Sequence, residues 1–391
     1  PGHLSSPCCS FTMALQMISS LVVGALAAPL TLVWKACSSP AMGTLRAVGL
    51  QPRPSFPPYE ADMSRRVVIV TGANTGIGAR TAFHLAQMGA TVIMACRSVE
   101  RGECARVKLE QEIRNSSSSS TGSTSSGTLE VMHLDVSDLE SVRAFARAFK
   151  EKHGGQLDVL VNNAGIGSAI GSKPLTTDGL DMIFGTNFIG HFALTTELLP
   201  LIQSTPASRV ICLSSVMHHK GCTEWESAVG GHAGFPFRST YADSKLAMVL
   251  LAKELRRKFA AAGSSATAFS VNPGAVRSDI WRFIPKRMAP ISDFVMRMLF
   301  LDVDEGCCTS VCASSLPLES LSGDDYYQPY WMPFGCPFPC EIMGPFVGCA
   351  PGRPTLPKDE PAASAEMWTV CERIIAAATA ARGDGSGAAR G

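Results

Sequence analysis

Two residues in the second half of the chain have types and a spacing suited to acid–base chemistry. Tyr241 and Lys245 stand four positions apart in the stretch 241–262, whose apolar spacing predicts a helix, so they share one helix face. An ammonium beside a phenol favours the phenolate and lowers the tyrosine pKa from about 10. Tyr241 would then exchange a proton with a substrate oxygen near neutral pH. Ordinary amphipathic helices also contain this spacing, so the pair needs support from other residues.

A second pattern, "VVIVTGANTGIG" at 67–78, predicts a binding turn. A run of Val and Ile bounded by glycine is typical of a buried parallel strand, and the residues after Gly78 have helical spacing. Glycines let a backbone turn sharply and approach a ligand, and the helix N-terminus that follows favours phosphate. The spacing T-G-x-x-x-G-x-G differs from G-x-G-x-x-G, and an ordinary strand–helix turn is the alternative.

The elements that must position these residues alternate between strand and helix from Arg66 onward. This alternation predicts an α/β fold with a doubly wound parallel sheet. The predicted strands are 67–71, 91–96, 129–136, 157–165, 209–215, 266–274 and 324–331, and the predicted helices are 79–90, 99–113, 138–152, 178–203, 241–262 and 364–382.

Composition excludes some classes of function. The net charge is +1, so no overall field favours nucleic acid as a partner. No C-x-x-C pair with matching histidines occurs among the 14 cysteines, and we predict no metal site. Cys336, Cys340 and Cys349 lie close together, which leaves a disulfide or a metal open, although buried free thiols are the commoner state.

The first 34 residues contain an apolar segment. Residues 11–34 carry no charge, and as a helix they would be roughly 36 Å long, enough to cross a bilayer. The basic residues Lys35 and Arg46 follow this segment and predict a single anchor with the rest of the chain on the cytoplasmic side. A cleaved signal peptide and a transit peptide for a plastid or mitochondrion are the alternatives.

These features divide the chain into four parts. We expect an anchor or targeting segment at 1–34, a linker at 35–63, a catalytic domain at 64–331, and a Pro- and Gly-rich tail with a final helix at 332–391. The Ser-rich stretch 115–127 is of low complexity and is predicted to be a surface insertion in the catalytic domain.

Four landmarks occur in order along the chain: TGANTGIG at 71–78, NNAG at 162–165, Ser215 at a strand end, and YADSK at 241–245. Together they resemble the short-chain dehydrogenase/reductase family over about residues 64–331. The resemblance implies a Rossmann-type doubly wound parallel sheet with helices on both faces, in a single catalytic domain. It also implies an oxidoreductase that transfers a hydride between a nicotinamide and a carbonyl or alcohol.

The resemblance assigns catalytic roles to four residues. Tyr241 would be the acid/base, Lys245 would lower its pKa and hold the ribose, and Ser215 would orient the substrate. In the family the second serine of such a pair is the catalytic one, which favours Ser215 over Ser214. Asn187, in "GTNFIGHF", matches the asparagine that holds a water in a proton relay.

The resemblance also predicts the cofactor contacts. They comprise the glycine turn, the end of the second strand, the residues flanking the adenine, the NNAG loop, the catalytic helix and the NPGAV loop: Gly72, Asn74, Thr75, Gly76, Ile77, Gly78, Arg97, Asp135, Val136, Asn163, Ala164, Gly165, Tyr241, Lys245, Pro273, Gly274 and Val276. An acid after the second strand would favour NAD, whereas this chain has Arg97 and no acid beside it, which predicts NADP(H).

The segments "VIMACRS", "GTNFIGHF" and "LSSVMHHKG" resemble the branch with retinol dehydrogenases and protochlorophyllide reductase. Ala247 stands where the light-driven enzymes usually carry a cysteine. The apolar stretch 277–300 corresponds to the substrate loop of the family and predicts a small apolar carbonyl or alcohol such as a retinoid, steroid or fatty aldehyde. A membrane-contacting flap is the alternative for this stretch. The residues predicted to line this pocket are Trp281, Phe283, Ile284, Met288, Phe294 and Met296.

An NADP-sensing binding protein remains the second hypothesis for the function of the chain, and a homodimer stays open as its oligomeric state.

Overall fold

One eight-stranded sheet organises the protein. The computed structural model describes residues 61–117, 127–167, 175–232, 239–278, 300–321, 325–330 and 348–385. The strand order is β3-β2-β1-β4-β5-β6-β7-β8. Strands β1 to β7 are all parallel, and β8 pairs antiparallel with β7. The strands are β1 (Val67–Thr71), β2 (Thr91–Cys96), β3 (Thr128–His133), β4 (Val159–Asn162), β5 (Arg209–Leu213), β6 (Thr267–Val271), β7 (Tyr326–Tyr330) and β8 (Gly348–Pro351).

Helices cover both faces of this sheet, which confirms the predicted doubly wound α/β class. In the described parts of the chain, α1, α2 and α7 pack on one face and α3, α4, α6 and α8 on the other. The α-helices of five residues or more are α1 (Gly76–Gln87), α2 (Val99–Ser117), α3 (Leu139–His153), α4 (Gly190–Ser204), α5 (Trp225–Val229), α6 (Thr240–Ala261), α7 (Val303–Ser315) and α8 (Glu360–Gly385).

The sequences of β1, β4 and β5 explain why these strands lie in the centre of the sheet. β1, β4 and β5 are short runs of mainly Val, Ile and Leu with both faces buried, as parallel strands covered by two helical layers must be. The strand order reverses between β1 and β4, and ligands of such sheets bind at the carboxyl ends of the strands at this point. The glycine turn after β1 and the NNAG loop after β4 therefore meet at one crevice.

A π-helical turn, Gly185–Ile189, leads directly into α4 and contains Asn187. Such turns are uncommon and occur frequently at functional sites. The turn is followed by a very close approach, because a Cβ on Gly190 would lie 1.8 Å from the carbonyl oxygen of Val136. Glycine at 190 thus lets α4 pack against the chain that follows β3.

The third strand is shorter than the predicted 129–136. β3 ends at His133, and the Asp135 carboxylate accepts hydrogen bonds from the backbone N–H and the hydroxyl of Ser137. The turn that these bonds stabilise carries the chain towards α3. The Ser-rich stretch 115–127 is partly helical, because α2 continues to Ser117; residues 118–126 lie outside the described part.

The C-terminal part contributes to the sheet and the core. The sequence predicted an extended tail over 332–361, whereas Gly348–Pro351 pair with β7 as β8. The sequence of β8, GCAP, lacks β-branched and aromatic residues, so nothing local indicated a strand. α8 begins at Glu360 and packs on α6 and α4: its Trp368 ring lies 4.8 Å from the ring of Phe192, and Glu360 pairs with Arg257 at 3.0 Å.

Within the described ranges, no helix combines the length and the apolar character that crossing a bilayer requires. The apolar segment 11–34 lies outside those ranges, as do the predicted pocket residues between 281 and 296. Cys349 is a free thiol, and Cys336 and Cys340 lie outside the described residues.

Candidate active site

Tyr241, Lys245 and Ser215 come together at the carboxyl ends of the central strands. α6 begins at Thr240, with the Ser239 hydroxyl accepting the backbone N–H of Ala242, and this start places Tyr241 and Lys245 one turn apart. The Tyr241 side chain is hydrogen-bonded to that of Ser215, at the end of β5. The Lys245 ammonium lies 5.5 Å from the Tyr241 ring centroid and donates to the Leu213 carbonyl at 3.1 Å.

The two adjacent serines have different contacts. The Ser214 hydroxyl is buried and donates to the Lys245 carbonyl at 2.8 Å, so it attaches the end of β5 to α6. Ser215 is half-buried, caps the short 3-10 helix Val216–Lys220, and faces the tyrosine. The contacts therefore place Ser215, and not Ser214, where it could reach a molecule bound at Tyr241.

Asn187 lies beside this cluster and holds a backbone segment. Its side-chain oxygen accepts the N–H of Ile166 at 2.8 Å, and its amide donates to the Ile166 carbonyl at 2.9 Å. The amide also lies 3.3 Å from the Ser244 hydroxyl. Asn187 therefore clamps the chain that follows NNAG against α6.

Burial shifts the pKa values of both titratable groups in this cluster. The sequence predicted a lowered tyrosine pKa, but desolvation raises the pKa of Tyr241 above its ordinary value, and the Ser215 hydrogen bond opposes this only in part. Burial also lowers the pKa of Lys245 from 10.5 to about 8. Attraction between the two groups alone would lower the tyrosine pKa, but removal from water dominates here. Tyr241 is consequently a protonated phenol at pH 7.

The glycine turn between β1 and α1 has the backbone that its glycines predict. Gly72 and Gly76 have φ of 67° and 60°, in the left-handed region that favours glycine. A Cβ on Gly78 would lie 2.4 Å from the amide nitrogen of Asn163 and 2.6 Å from the Gly72 carbonyl oxygen. The first turn of α1 contains no acidic side chain, so the positive end of this helix is open to an anion. Asn74, Thr75 and Ile77 belong to this turn and are half-buried or exposed.

The NNAG loop packs against the glycine turn. The Asn163 amide donates to the Thr71 carbonyl at 2.7 Å, and the backbone N–H groups of Asn163 and Ala164 both donate to the Thr71 hydroxyl at 2.9 Å. The side chain of Asn163 is thus engaged by the protein. Gly165 is exposed, and a Cβ there would lie 3.6 Å from the Lys245 ammonium, so its bare backbone lines the space beside the lysine.

The other predicted cofactor residues lie around the same edge of the sheet. Arg97 is exposed directly after β2, Asp135 is half-buried and Val136 is buried. In the NPGAV loop, the Asn272 side chain accepts the N–H of Gly274, whose φ is 79°. Pro273 is buried, and Val276 is buried and forms a parallel bridge with Leu301.

Thr71 and His191 join these pieces, although the motifs that contain them, TGANTGIG and GTNFIGHF, indicated no role for either residue. Thr71 is the last residue of β1, and His191 lies four residues after Asn187 in "GTNFIGHF". His191 is fully buried, and burial lowers its pKa from 6.5 to about 4. The available signal was a histidine one turn after a polar motif residue, on a helix that is otherwise apolar.

Two groups of metal-ligand types occur among the described residues, and each contains hydrogen bonds or ion pairs between protein groups. In the first group, Asp304 pairs with Arg80 and lies 3.2 Å from a nitrogen of His84, with Cys307 nearby. In the second, which contains Cys222, the Asp243 carboxylate pairs with His232 and accepts the Cys222 N–H at 2.8 Å.

The crevice suits a dinucleotide. It offers a helix N-terminus with no side-chain capping hydrogen bond behind a glycine turn, the exposed backbone of Gly165, and a buried ammonium. That ammonium has three donors, and its hydrogen-bond acceptor among the described residues is the Leu213 carbonyl. Phosphates suit the helix N-terminus, and ribose hydroxyls suit the remaining lysine donors.

The chain belongs to the short-chain dehydrogenase family, whose model matches residues 66–289. It is 39% identical over 267 residues to retinol dehydrogenase 11 of Mus musculus, covering 67% of this chain and 77% of that protein. It is 36% identical over 266 residues to retinol dehydrogenase 14 of Homo sapiens, with the same coverage. The predicted family and its retinol dehydrogenase-like branch are therefore confirmed, and the chain is an oxidoreductase of this class.

Solved structures show the same fold. An uncharacterised protein from Mycobacterium paratuberculosis matches with a TM-score of 0.57 and 32% identity, over 81% of this chain and 95% of that one. Levodione reductase matches with a TM-score of 0.52 at 20% identity, over 68% and 95%, which supports the fold alone.

Proposed function

We propose that this protein uses NADPH to reduce an apolar aldehyde or ketone to the alcohol, with Tyr241 as the proton donor. The observation that carries the proposal is the buried contact between the Tyr241 and Ser215 side chains, with the Lys245 ammonium below the tyrosine ring. Because burial keeps the phenol protonated at pH 7, the resting enzyme suits the direction that consumes a proton.

The residues would divide the work as follows. When bound, the reduced nicotinamide supplies the hydride that the carbonyl carbon accepts. Ser215 donates a hydrogen bond to the carbonyl oxygen and orients it beside Tyr241. Tyr241 gives its proton to that oxygen as negative charge develops there. Lys245 stabilises the resulting phenolate by its charge, and Asn187 holds the loop that faces the lysine.

The predicted cofactor residues would hold the dinucleotide along the crevice. The turn from Gly72 to Gly78 would take the pyrophosphate at the N-terminus of α1. The loops at Asp135–Val136 and Asn163–Gly165 would border the adenosine. Lys245 would bind the nicotinamide ribose, and the segment from Pro273 to Val276 would contact the carboxamide. Each role rests on where the residue lies relative to the switch point of the sheet.

For the substrate we propose a retinoid or a similar apolar carbonyl compound. Two of the relatives are named retinol dehydrogenases, and the stretch 281–296 of this chain is rich in aromatic residues and methionine. Such side chains suit an adaptable apolar pocket.

Arg97 would decide between the two nicotinamide cofactors. We expect Arg97→Ala to raise the Kd for NADPH about 10- to 100-fold, since an arginine–phosphate contact is a charge-assisted hydrogen bond. The Kd for NADH should stay within about twofold, because NADH lacks the 2′-phosphate. Titration of the full chain by nicotinamide fluorescence measures both values.

Arg101→Ala is the matched control, since Arg101 is also exposed and lies four residues further along, in α2. It should leave both Kd values unchanged. A wild-type preference for NADH, or unchanged NADPH affinity in Arg97→Ala, would contradict the NADP assignment. Tight NADPH binding with no turnover of any apolar aldehyde would instead favour a cofactor-sensing protein.

We further propose that residues 11–34 anchor the protein to a membrane with the catalytic part on the cytoplasmic side, a plastid or mitochondrial targeting segment being the alternative. Fractionation of the full chain beside a chain without residues 1–34 distinguishes the two.

A homodimer through the helices that include 178–203 and 241–262 would have to form around α8, which packs on α4 and α6. Sedimentation of the full chain measures the oligomeric state.

A further inference from the structure

Thr71 connects the glycine turn to the NNAG loop through one hydroxyl group. The hydroxyl oxygen accepts the backbone N–H groups of Asn163 and Ala164, both at 2.9 Å. It also lies 2.9 Å from Nε2 of His191 and 3.3 Å from the Val161 carbonyl oxygen. A hydroxyl has a single hydrogen to donate, and the shorter of these two contacts is to the histidine.

The second ring nitrogen of His191 determines which group donates and which accepts in the hydrogen bond between His191 and Thr71. Nδ1 lies 3.1 Å from the carbonyl oxygen of Asn187. A carbonyl cannot donate, so Nδ1 must carry the ring hydrogen. Nε2 is then the acceptor, and the Thr71 hydroxyl donates to it. The imidazole is fully buried, and burial keeps its pKa near 4, so the neutral ring persists at ordinary pH.

Asn187 completes a closed network of hydrogen bonds that also includes Thr71 and His191. Its side chain holds both the N–H and the carbonyl of Ile166, two residues after Ala164. The segment 163–166 is therefore held at one end by Thr71 and at the other by Asn187. His191 joins those two holders through its two nitrogens.

Gly165 lies between the two held ends. It is exposed, and a Cβ on it would lie 3.3 Å from the Asn187 side-chain oxygen and 3.6 Å from the Lys245 ammonium. A shift of the loop by a few tenths of an ångström would therefore change the space beside the lysine. The same shift would disturb the glycine turn, because the Thr71 hydroxyl holds both.

We propose that His191 is a positioning residue that sets the NNAG loop in register with the glycine turn and Lys245. The inference rests on the proposed function only for its effect on the dinucleotide, which would span the glycine turn and Lys245. The hydrogen-bond network of Thr71, His191 and Asn187 itself is present in the cofactor-free protein. A merely structural histidine would contribute to folding without governing the local stability of this loop.

Three substitutions separate the two hydrogen bonds of the imidazole. In His191→Asn the amide nitrogen can take the place of Nδ1 and keep the bond to Asn187. In His191→Gln the longer side chain can take the place of Nε2 and keep an acceptor for Thr71. His191→Phe fills similar volume and loses both bonds. Ser208→Ala is the matched control, because its buried hydroxyl donates to the Ile202 carbonyl, which lies outside these contacts.

The first measurement is amide hydrogen exchange in the cofactor-free full chain, for peptides that span 161–167. We expect His191→Phe to speed exchange there about tenfold or more, on the scale of one lost buried hydrogen bond, with smaller increases in the Asn and Gln variants. Ser208→Ala should lower the global stability by a similar amount and leave the exchange of this peptide unchanged. The second measurement is the Kd for NADPH, which we expect to rise about tenfold in His191→Phe and to recover in part in the Asn and Gln variants.

Unchanged exchange at 161–167 in folded His191→Phe would overturn the inference. If that variant fails to fold, wild-type exchange in both the Asn and Gln variants would overturn it equally. Should the wild-type chain bind no NADPH, the proposed function fails, and the exchange comparison alone then decides the role of His191.

Discussion

Tyr241→Phe should lower kcat/KM at pH 7 by about 10³-fold or more and leave the Kd for NADPH within about twofold. The substitution removes the hydroxyl that faces Ser215 and keeps the buried ring above Lys245. Without that hydroxyl, the group that we propose as the proton donor to the carbonyl oxygen is missing. The packing against α6 stays, so the fold and the crevice should survive. Steady-state rates with an apolar aldehyde, together with NADPH fluorescence titration, provide the two numbers.

Tyr327→Phe is the control for this variant. Tyr327 is also buried, but it lies on β7 and packs against Phe269 at 5.7 Å between ring centroids, in the core on the other side of the sheet. It should retain the wild-type kcat/KM. If Tyr241→Phe kept more than about a tenth of the wild-type activity, Tyr241 would not be the proton donor, and water or another group would have that role.

Lys245→Met should stabilise the protein at pH 7 while it lowers kcat at least about 10²-fold. The folded pKa of Lys245 is about 8, against 10.5 for the free side chain. At pH 7 the lysine is charged in both states, and the difference of 2.5 pKa units corresponds to about 3 kcal/mol against folding. Met loses the hydrogen bond to the Leu213 carbonyl, which offsets about 1 kcal/mol. We therefore expect a net gain of about 2 kcal/mol.

The pH dependence gives this prediction a second readout. The lowered pKa means that the unfolded lysine binds a proton below 10.5 and the folded one only below about 8. The wild-type protein should therefore recover stability as the pH rises from 8 to 10.5, and the advantage of Lys245→Met should shrink over that interval. Chemical denaturation at pH 7 and pH 10 measures both ends. Lys108→Met, at an exposed position on α2, should show no such trend. A loss of stability in Lys245→Met at pH 7 would mean that the buried ammonium is favourably paired.

The sheet and most helices could be predicted because local pattern and tertiary role agree in them. β1, β4 and β5 are apolar because both of their faces are buried, and α3 shows its buried stripe through Val142, Phe145 and Phe149. β8 could not be predicted, because its pairing with β7 supplies what the sequence GCAP lacks. The end of β3 was placed too late, since a turn stabilised by Asp135 replaces the strand there.

The site was predictable as a set of motifs, and less so as a set of contacts. The spacing of Tyr241 and Lys245 placed them on one helix, but spacing contains no information on burial, so the direction of the tyrosine pKa shift was wrong. Ser214 and Ser215 are the same residue type, and their contacts separate them, since Ser214 donates to the Lys245 carbonyl whereas Ser215 faces Tyr241. Asn163 stays predicted beside the adenosine, and its sequence context did not indicate that its side chain donates to the Thr71 carbonyl. The hydrogen-bond network through His191 joins residues up to 120 positions apart, which no local sequence pattern connects.

The measurement that tests the central claim most directly follows the hydrogen itself. The full chain is incubated with NADPH in which both hydrogens at C4 of the nicotinamide are deuterium, and with an apolar aldehyde such as retinal, and the alcohol product is analysed by mass spectrometry. We predict one deuterium on the carbinol carbon of the product, formed by wild-type protein and not by Tyr241→Phe. An alcohol without deuterium, or no alcohol with any apolar aldehyde despite bound NADPH, would contradict the assignment of this protein as a carbonyl reductase.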